Sequence, residues 1–176
     1  SDEGVRSLHV HQSPNFGVGA LNALLVAPAQ GGQPNGMRLL RLRVSTCGLA
    51  DGLVTVLAAC IAQGTCLANL RGLALDDNAL ALEAPPAVAQ SPTAAALLPL
   101  RGGQQQQQQP SPALILGKAL RKLAKLEQLD LSNNCLLGDE AAAELCAELL
   151  ATDPPDGCKH APPLKMLHLG GTQAGN

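Results

Sequence analysis

From Leu126 to Leu136 the chain reads Leu-Glu-Gln-Leu-Asp-Leu-Ser-Asn-Asn-Cys-Leu, an L-x-x-L-x-L-x-x-N-x-L pattern without a substitution. In an extended segment Leu129 and Leu131 point to one side, and Gln128, Asp130 and Ser132 point to the other. Asn134 carries an amide that can bond backbone groups where the strand bends away. A unit this short cannot bury its leucines against itself. It needs neighbours of its own kind, so one clean copy predicts others.

The others are present. Leu70-Arg-Gly-Leu73-Ala-Leu75-Asp-Asp-Asn78-Ala-Leu80 fits at every position, and Leu39-Leu-Arg-Leu42-Arg-Val44-Ser-Thr-Cys47-Gly-Leu49 fits with Cys in the Asn slot. Cys47 can serve there as a small buried group with a weak S–H donor. Leu164-Lys-Met-Leu167-His-Leu169-Gly-Gly-Thr172-Gln-Ala174 departs at its last two anchors. Val5-Arg-Ser-Leu8-His-Val10-His-Gln-Ser13-Pro-Asn15 keeps only the frame.

Between these units lie apolar stretches at helical spacing. After Leu136, Asp139 is placed to cap a helix and Glu140 to sit in its first turn. Ala142, Leu145, Cys146 and Leu149 then form one stripe, with Glu144 and Glu148 off it. Gly52 to Ile61 repeats the arrangement through Leu53, Val56, Leu57, Cys60 and Ile61, and Gly17 to Ala27 through Leu21, Leu24 and Leu25. Ser111-Pro112 opens Ala113 to Leu123 as N-cap and first-turn proline.

The wording N-C-L-L-G-D-E-A-A-A-E-L-C-A-E-L-L (Asn134 to Leu150) resembles the long-repeat subfamily of leucine-rich repeat proteins. That subfamily includes ribonuclease inhibitor, the Ran GTPase-activating protein, NOD-like immune sensors and some axonemal subunits. The resemblance covers nearly the whole chain except one insertion. It is specific for fold and poor for function. It implies an α/β class solenoid of about five repeats over residues 1–176: a horseshoe with parallel strands on the concave side and helices on the convex side.

Such repeats run about 20–29 residues, and every step here is longer. The excess must loop out, at Ala29 to Gly36 and at Asp153 to Pro163. The step from Leu70 to Leu126 is longest. It holds an insertion at about 84–110 with Pro85-Pro86, Pro92, Pro99, Gly102-Gly103 and the run Gln104 to Gln109. That composition buries too little apolar surface to offset ordering, so a loop is expected. The alternative is a damaged repeat around Ala94 to Leu100. The chain opens almost on a strand and stops at Gly175-Asn176 where a helix should start. Solenoids carry polar caps, so a segment of a longer array is expected.

Hydrophobic residues make up 46% of the chain, yet its only aromatic is Phe16. An irregular core uses aromatics as large fillers, whereas stacked Leu and Ala layers do not need them. A net charge of −2 gives no bulk basicity toward nucleic acid. No apolar run approaches the roughly 20 residues that span a bilayer. Most of the six cysteines sit at repeat anchors or in helix stripes (Cys47, Cys60, Cys135, Cys146) and read as reduced core thiols of an intracellular, cytoplasmic protein.

The strand frame sets which side chains face away from the helices. These are Ser7, His9 and His11; Arg41, Arg43 and Ser45; Gly72, Ala74 and Asp76; Gln128, Asp130 and Ser132; Met166, His168 and Gly170. Basic character gathers at the N-terminal side and acidic character in the middle. The candidate partner-binding residues are His9, His11, Arg41, Arg43, Asp76, Gln128, Asp130 and His168; an ordinary solvated sheet face is the plainer explanation. Lys118, Arg121, Lys122 and Lys125 read first as solvated charges near a helix C-terminus, and second as a contact for an acidic partner.

Other motifs carry less. Gly17-Val-Gly19 begins like a dinucleotide fingerprint but lacks the third glycine. Leu116-Gly117-Lys118-Ala119 ends like a phosphate loop without its upstream Gly or its Ser or Thr. Cys158-Lys-His160 is the one close Cys/His pair, short of the four ligands zinc needs. No catalytic constellation, metal site or cofactor is expected.

The leading expectation is a non-catalytic protein–protein interaction scaffold in a larger assembly, without nucleic acid or membrane partners. The subfamily's axonemal members suggest a cytoskeletal or ciliary axonemal setting. A GTPase-activating protein using Asp76, Asp77 and Asp130 is a second reading. The ligand-sensing region of an immune receptor is a third.

Overall fold

The computed structural model describes residues 5–26, 39–64, 66–83, 110–151 and 163–172. Within them strands and helices alternate: β1 (Ser7–His11), α1 (Val18–Val26), β2 (Arg41–Ser45), α2 (Gly52–Ala62), β3 (Gly72–Ala74), α3 (Pro112–Arg121), β4 (Gln128–Asp130), α4 (Asp139–Leu150) and β5 (Met166–His168). The strands form one parallel sheet in the order of the chain. Parallel neighbours need a crossover, and among the described residues one helix lies in each. Consecutive helices pack against one another.

The register follows the leucine frame. Leu8 lies opposite Leu42, Leu42 opposite Leu73, Leu73 opposite Leu129 and Leu129 opposite Leu167. Slipping any strand by one residue would turn its leucines away from the helices. Leu42, Leu73 and Leu129 are buried with the inner helix residues Leu53, Leu116 and Leu145 in one continuous core. Each fully buried leucine contributes roughly 1.5–3 kcal/mol. Leu8 and Leu167, on the outermost strands, are half-buried.

β3 pairs directly with β4. The alternative of a damaged repeat falls on Ala94 to Leu100. That segment lies outside the described residues, as does nearly all of the 84–110 insertion. So do the Ala29 to Gly36 loop, nearly all of the Asp153 to Pro163 loop, and the Cys158 and His160 pair.

Where the polar slot after a strand holds Asn, it ties repeats together. The Asn134 amide donates to Leu131 O (2.8 Å) in its own repeat and to Leu75 O (3.0 Å) in the preceding one, and its Oδ1 accepts Leu80 N. Asn78 does the same one repeat earlier: it donates to Leu75 O and Val44 O and accepts Cys47 N and Leu49 N. Cys47 donates its S–H to Ser45 O, and Thr172 its hydroxyl to Leu169 O.

A second regularity lies one residue earlier. Gln12, Thr46, Asp77, Asn133 and Gly171 occupy the same slot in the five copies, and all have positive φ, between 48° and 71°. The backbone N–H groups of the first four donate to the carbonyl preceding the same slot in the next copy, at Ser45, Asp76, Ser132 and Gly170.

Helix α3 begins as expected. Ser111 is the N-cap, its Oγ accepting Leu114 N at 3.0 Å, and Pro112 is the first helical residue. Helix α4 differs: Gly138 takes the N-cap and Asp139 the first helical position, where its charge faces the positive end of the dipole. Glu144 and Glu148 do not face open solvent. Glu144 accepts the Ser111 hydroxyl. Glu148 pairs with Arg121 at 2.8 Å, and Arg121 also donates to Ala151 O. Arg121 is buried, so it leaves the expected cluster of solvated charges; Lys118, Lys122 and Lys125 remain exposed.

No described cysteine forms a disulfide. Cys135 is exposed, not a core thiol, because it follows the Asn slot on the outer turn. Cys60 is sealed in the core, and burial pushes its thiol up to about 11. Among the described residues no helix is long and apolar enough to cross a membrane.

Candidate polar face and groove

The sheet face opposite the helices carries the polar residues of the leucine frame. Strand alternation puts Ser7, His9 and His11 on β1, Arg41 and Arg43 on β2, Gln128 and Asp130 on β4, and Met166 and His168 on β5. β3 contributes only Gly72 and Ala74, so the middle of the face has no long side chain. The result is a groove of about 390 Å³ lined by His9, Arg41, Arg43, Gln128, Asp130 and His168, with Leu42, Leu73, Gly72, Ala74 and Met166 completing it.

Six of the eight residues singled out from sequence thus line one groove. Asp76 and His11 do not. Asp76 is 4% exposed, held by Arg43 through Nε to Oδ1 (3.1 Å) and Nη2 to Oδ2 (2.6 Å). This fork-to-carboxylate geometry is the strong form of the ion pair. It raises the Arg43 pKa further above its ordinary value, through the hydrogen bond first and the carboxylate charge second. Asp76 is therefore the clamp for Arg43, not a surface acid. His11 is exposed, with Nδ1 2.8 Å from the hydroxyl of Ser45, which is itself buried.

The carboxylates of the GTPase-activating reading are not presented together. Asp76 is taken by Arg43, Asp130 Oδ1 accepts Ser132 N at 3.0 Å, and Asp77 occupies one of the positive-φ turn positions. Among the described residues no group of three or more His, Cys, Asp or Glu is arranged to hold a metal ion. Gly117, from the segment that ends like a phosphate loop, lies inside α3 against Glu148.

A second groove of about 400 Å³ opens at the N-terminal ends of the strands. It is lined by Arg6, Ser7, Leu40, Arg41, Arg71, Gly72, Glu127 and Gln128. Arg6, Arg71 and Glu127 were missed by counting only alternate positions. They follow the first apolar residue of their repeats, and the arginine shared by the first and third copies was the available signal. Glu127 lies 3.8 Å from Arg71 and 3.3 Å from Lys165.

In comparison with known proteins, the sequence matches no family model and no curated protein.

Proposed function

We propose that the chain is a segment of a leucine-rich repeat solenoid that acts as a non-catalytic scaffold, docking other proteins on its polar sheet face. The solenoid reading is supported by the five in-register copies and by the shared positive-φ turn position. In this reading the sheet is the concave side of a horseshoe and the helices are its convex side. The observation that carries the function is the groove: six charged or polar side chains from four strands surround a strand that offers no bulk. A reduced, cytoplasmic compartment is proposed from the placement of Cys47 and Cys60 in the core. A cytoskeletal or axonemal assembly is the proposed setting, resting on the subfamily resemblance.

Site-specific photo-cross-linking tests the function. A cross-linker at Gln128, on the polar face, should capture a partner in the native assembly. The same group at Glu140, exposed on α4, should not. Capture from Glu140 alone, or equally from both, would sink the reading.

A further inference from the structure

We propose that the groove over β3 receives an extended acidic segment of a partner protein, with carboxylates bound by Arg41 and Arg71. The inference rests on the reading of the polar face as an interaction surface, and adds the chemistry of its occupant. The two grooves share Arg41, Gly72 and Gln128, so they form one channel running from the strand N-termini onto the face. Its walls are side chains of β2 and β4. With neighbouring strands ~4.8 Å apart, those walls stand roughly 10 Å apart across β3. At Gly72 the side chains narrow this, with Arg41 Cγ and Gln128 Oε1 lying 3.6 Å and 3.7 Å from where a Cβ would stand. A helix of about 10–12 Å diameter therefore cannot enter, and only the side chains of an extended segment lying along the channel can.

Charge selects the occupant. Among the described residues, Arg41 and Arg71 line the N-terminal end beside one acid, Glu127. Glu127 already serves Lys165, and its contact with Arg71 is long at 3.8 Å. The Arg71 side chain is 59% exposed. Among the described residues Arg41 is in no ion pair, while Arg43 is committed to Asp76. Arg41 and Arg71 thus offer guanidinium forks suited to carboxylates, on a chain whose net charge is −2. Phosphates would meet the same arginine forks, so stacking is what separates a nucleic acid from an acidic peptide here. The chain has no Tyr, no Trp and a half-buried Phe16, so it lacks the stacking platform single-stranded nucleic acid uses.

The test is fluorescence anisotropy of a dye-labelled oligoglutamate peptide with the intact chain, beside oligolysine and a single-stranded oligonucleotide. Oligoglutamate should bind most tightly. Arg41→Glu and Arg71→Glu should each weaken it by about tenfold or more, the scale of one lost charged hydrogen bond. Gly72→Val probes the channel without changing charge. A Cβ at Gly72 would sit 3.6 Å from Arg41 Cγ and 3.7 Å from Gln128 Oε1, an ordinary contact, so the branched side chain fills the groove without backbone strain. It too should weaken binding, and Lys118→Glu on α3 should not. Tighter binding of oligolysine or of the oligonucleotide, or indifference to Gly72→Val, would overturn the proposal. If Gln128 captures a partner but oligoglutamate is ignored, the acidic occupant fails while the interaction face stands. If Gln128 captures nothing, the face reading itself fails.

Discussion

Asn78 and Asn134 each serve the repeat before their own as well as their own, which explains why Cys47 is tolerated in the same slot. Cys47 offers one weak donor, to Ser45 O, but its turn does not depend on it. The N–H groups of Cys47 and Leu49 are both taken by Asn78 from the next repeat. The preceding slot is more demanding. Asp, Asn and Gly visit positive φ at low cost, and Asp77, Asn133 and Gly171 meet that demand. Thr46, at φ 56°, is β-branched and does not. Its side chain is exposed, so replacement disturbs no packing. Thr46→Asn is predicted to raise stability by up to about 1 kcal/mol. Urea unfolding should show a higher midpoint at unchanged slope. An unchanged or lower midpoint would mean that Thr46 pays no conformational cost.

The α3–α4 contact shows which helix features were legible and which were not. Ser111 and Pro112 could be read because capping is local: the hydroxyl and the N–H it satisfies are three residues apart. Arg121, Glu144 and Glu148 could not, because their partners lie on another helix and periodicity alone assigns them to solvent. Gly117 explains the closeness of the two helices. A Cβ there would lie 2.7 Å from Glu148 Cγ and 2.8 Å from Glu148 Cβ. In an open helix Gly→Ala gains about 1 kcal/mol. Here Gly117→Ala would push α4 outward and spoil the Arg121–Glu148 pair, so a net loss of about 1–3 kcal/mol is expected. Thermal unfolding reads it directly, and a raised Tm would show that α3 and α4 are not in close contact.

Across the whole molecule, strict alternation at Leu42/Val44, Leu73/Leu75 and Leu129/Leu131 made sheet order and register readable, since one residue of slip inverts a strand. The groove was not readable in the same way. Gly72 and Ala74 were placed on the right face, but a groove exists only because β2 and β4 flank them with longer side chains. Nor could spacing show that the long step from Leu70 to Leu126 brings β4 directly against β3. The burial of Asp76 and Ser45 escaped for another reason: at the strand ends the polar positions turn toward neighbouring repeats, where Arg43 and His11 meet them. One leucine frame thus decides which side chains build the core and which face away from it. The most direct test places the same new charge at adjacent residues of β4, Leu129→Asp and Gln128→Asp, and compares their urea unfolding. Leu129 is fully buried and Gln128 is exposed. The first should lose several kcal/mol or fail to fold. The second should stay within about 0.5 kcal/mol of the parent. Equal losses, or a larger loss at Gln128, would contradict the frame.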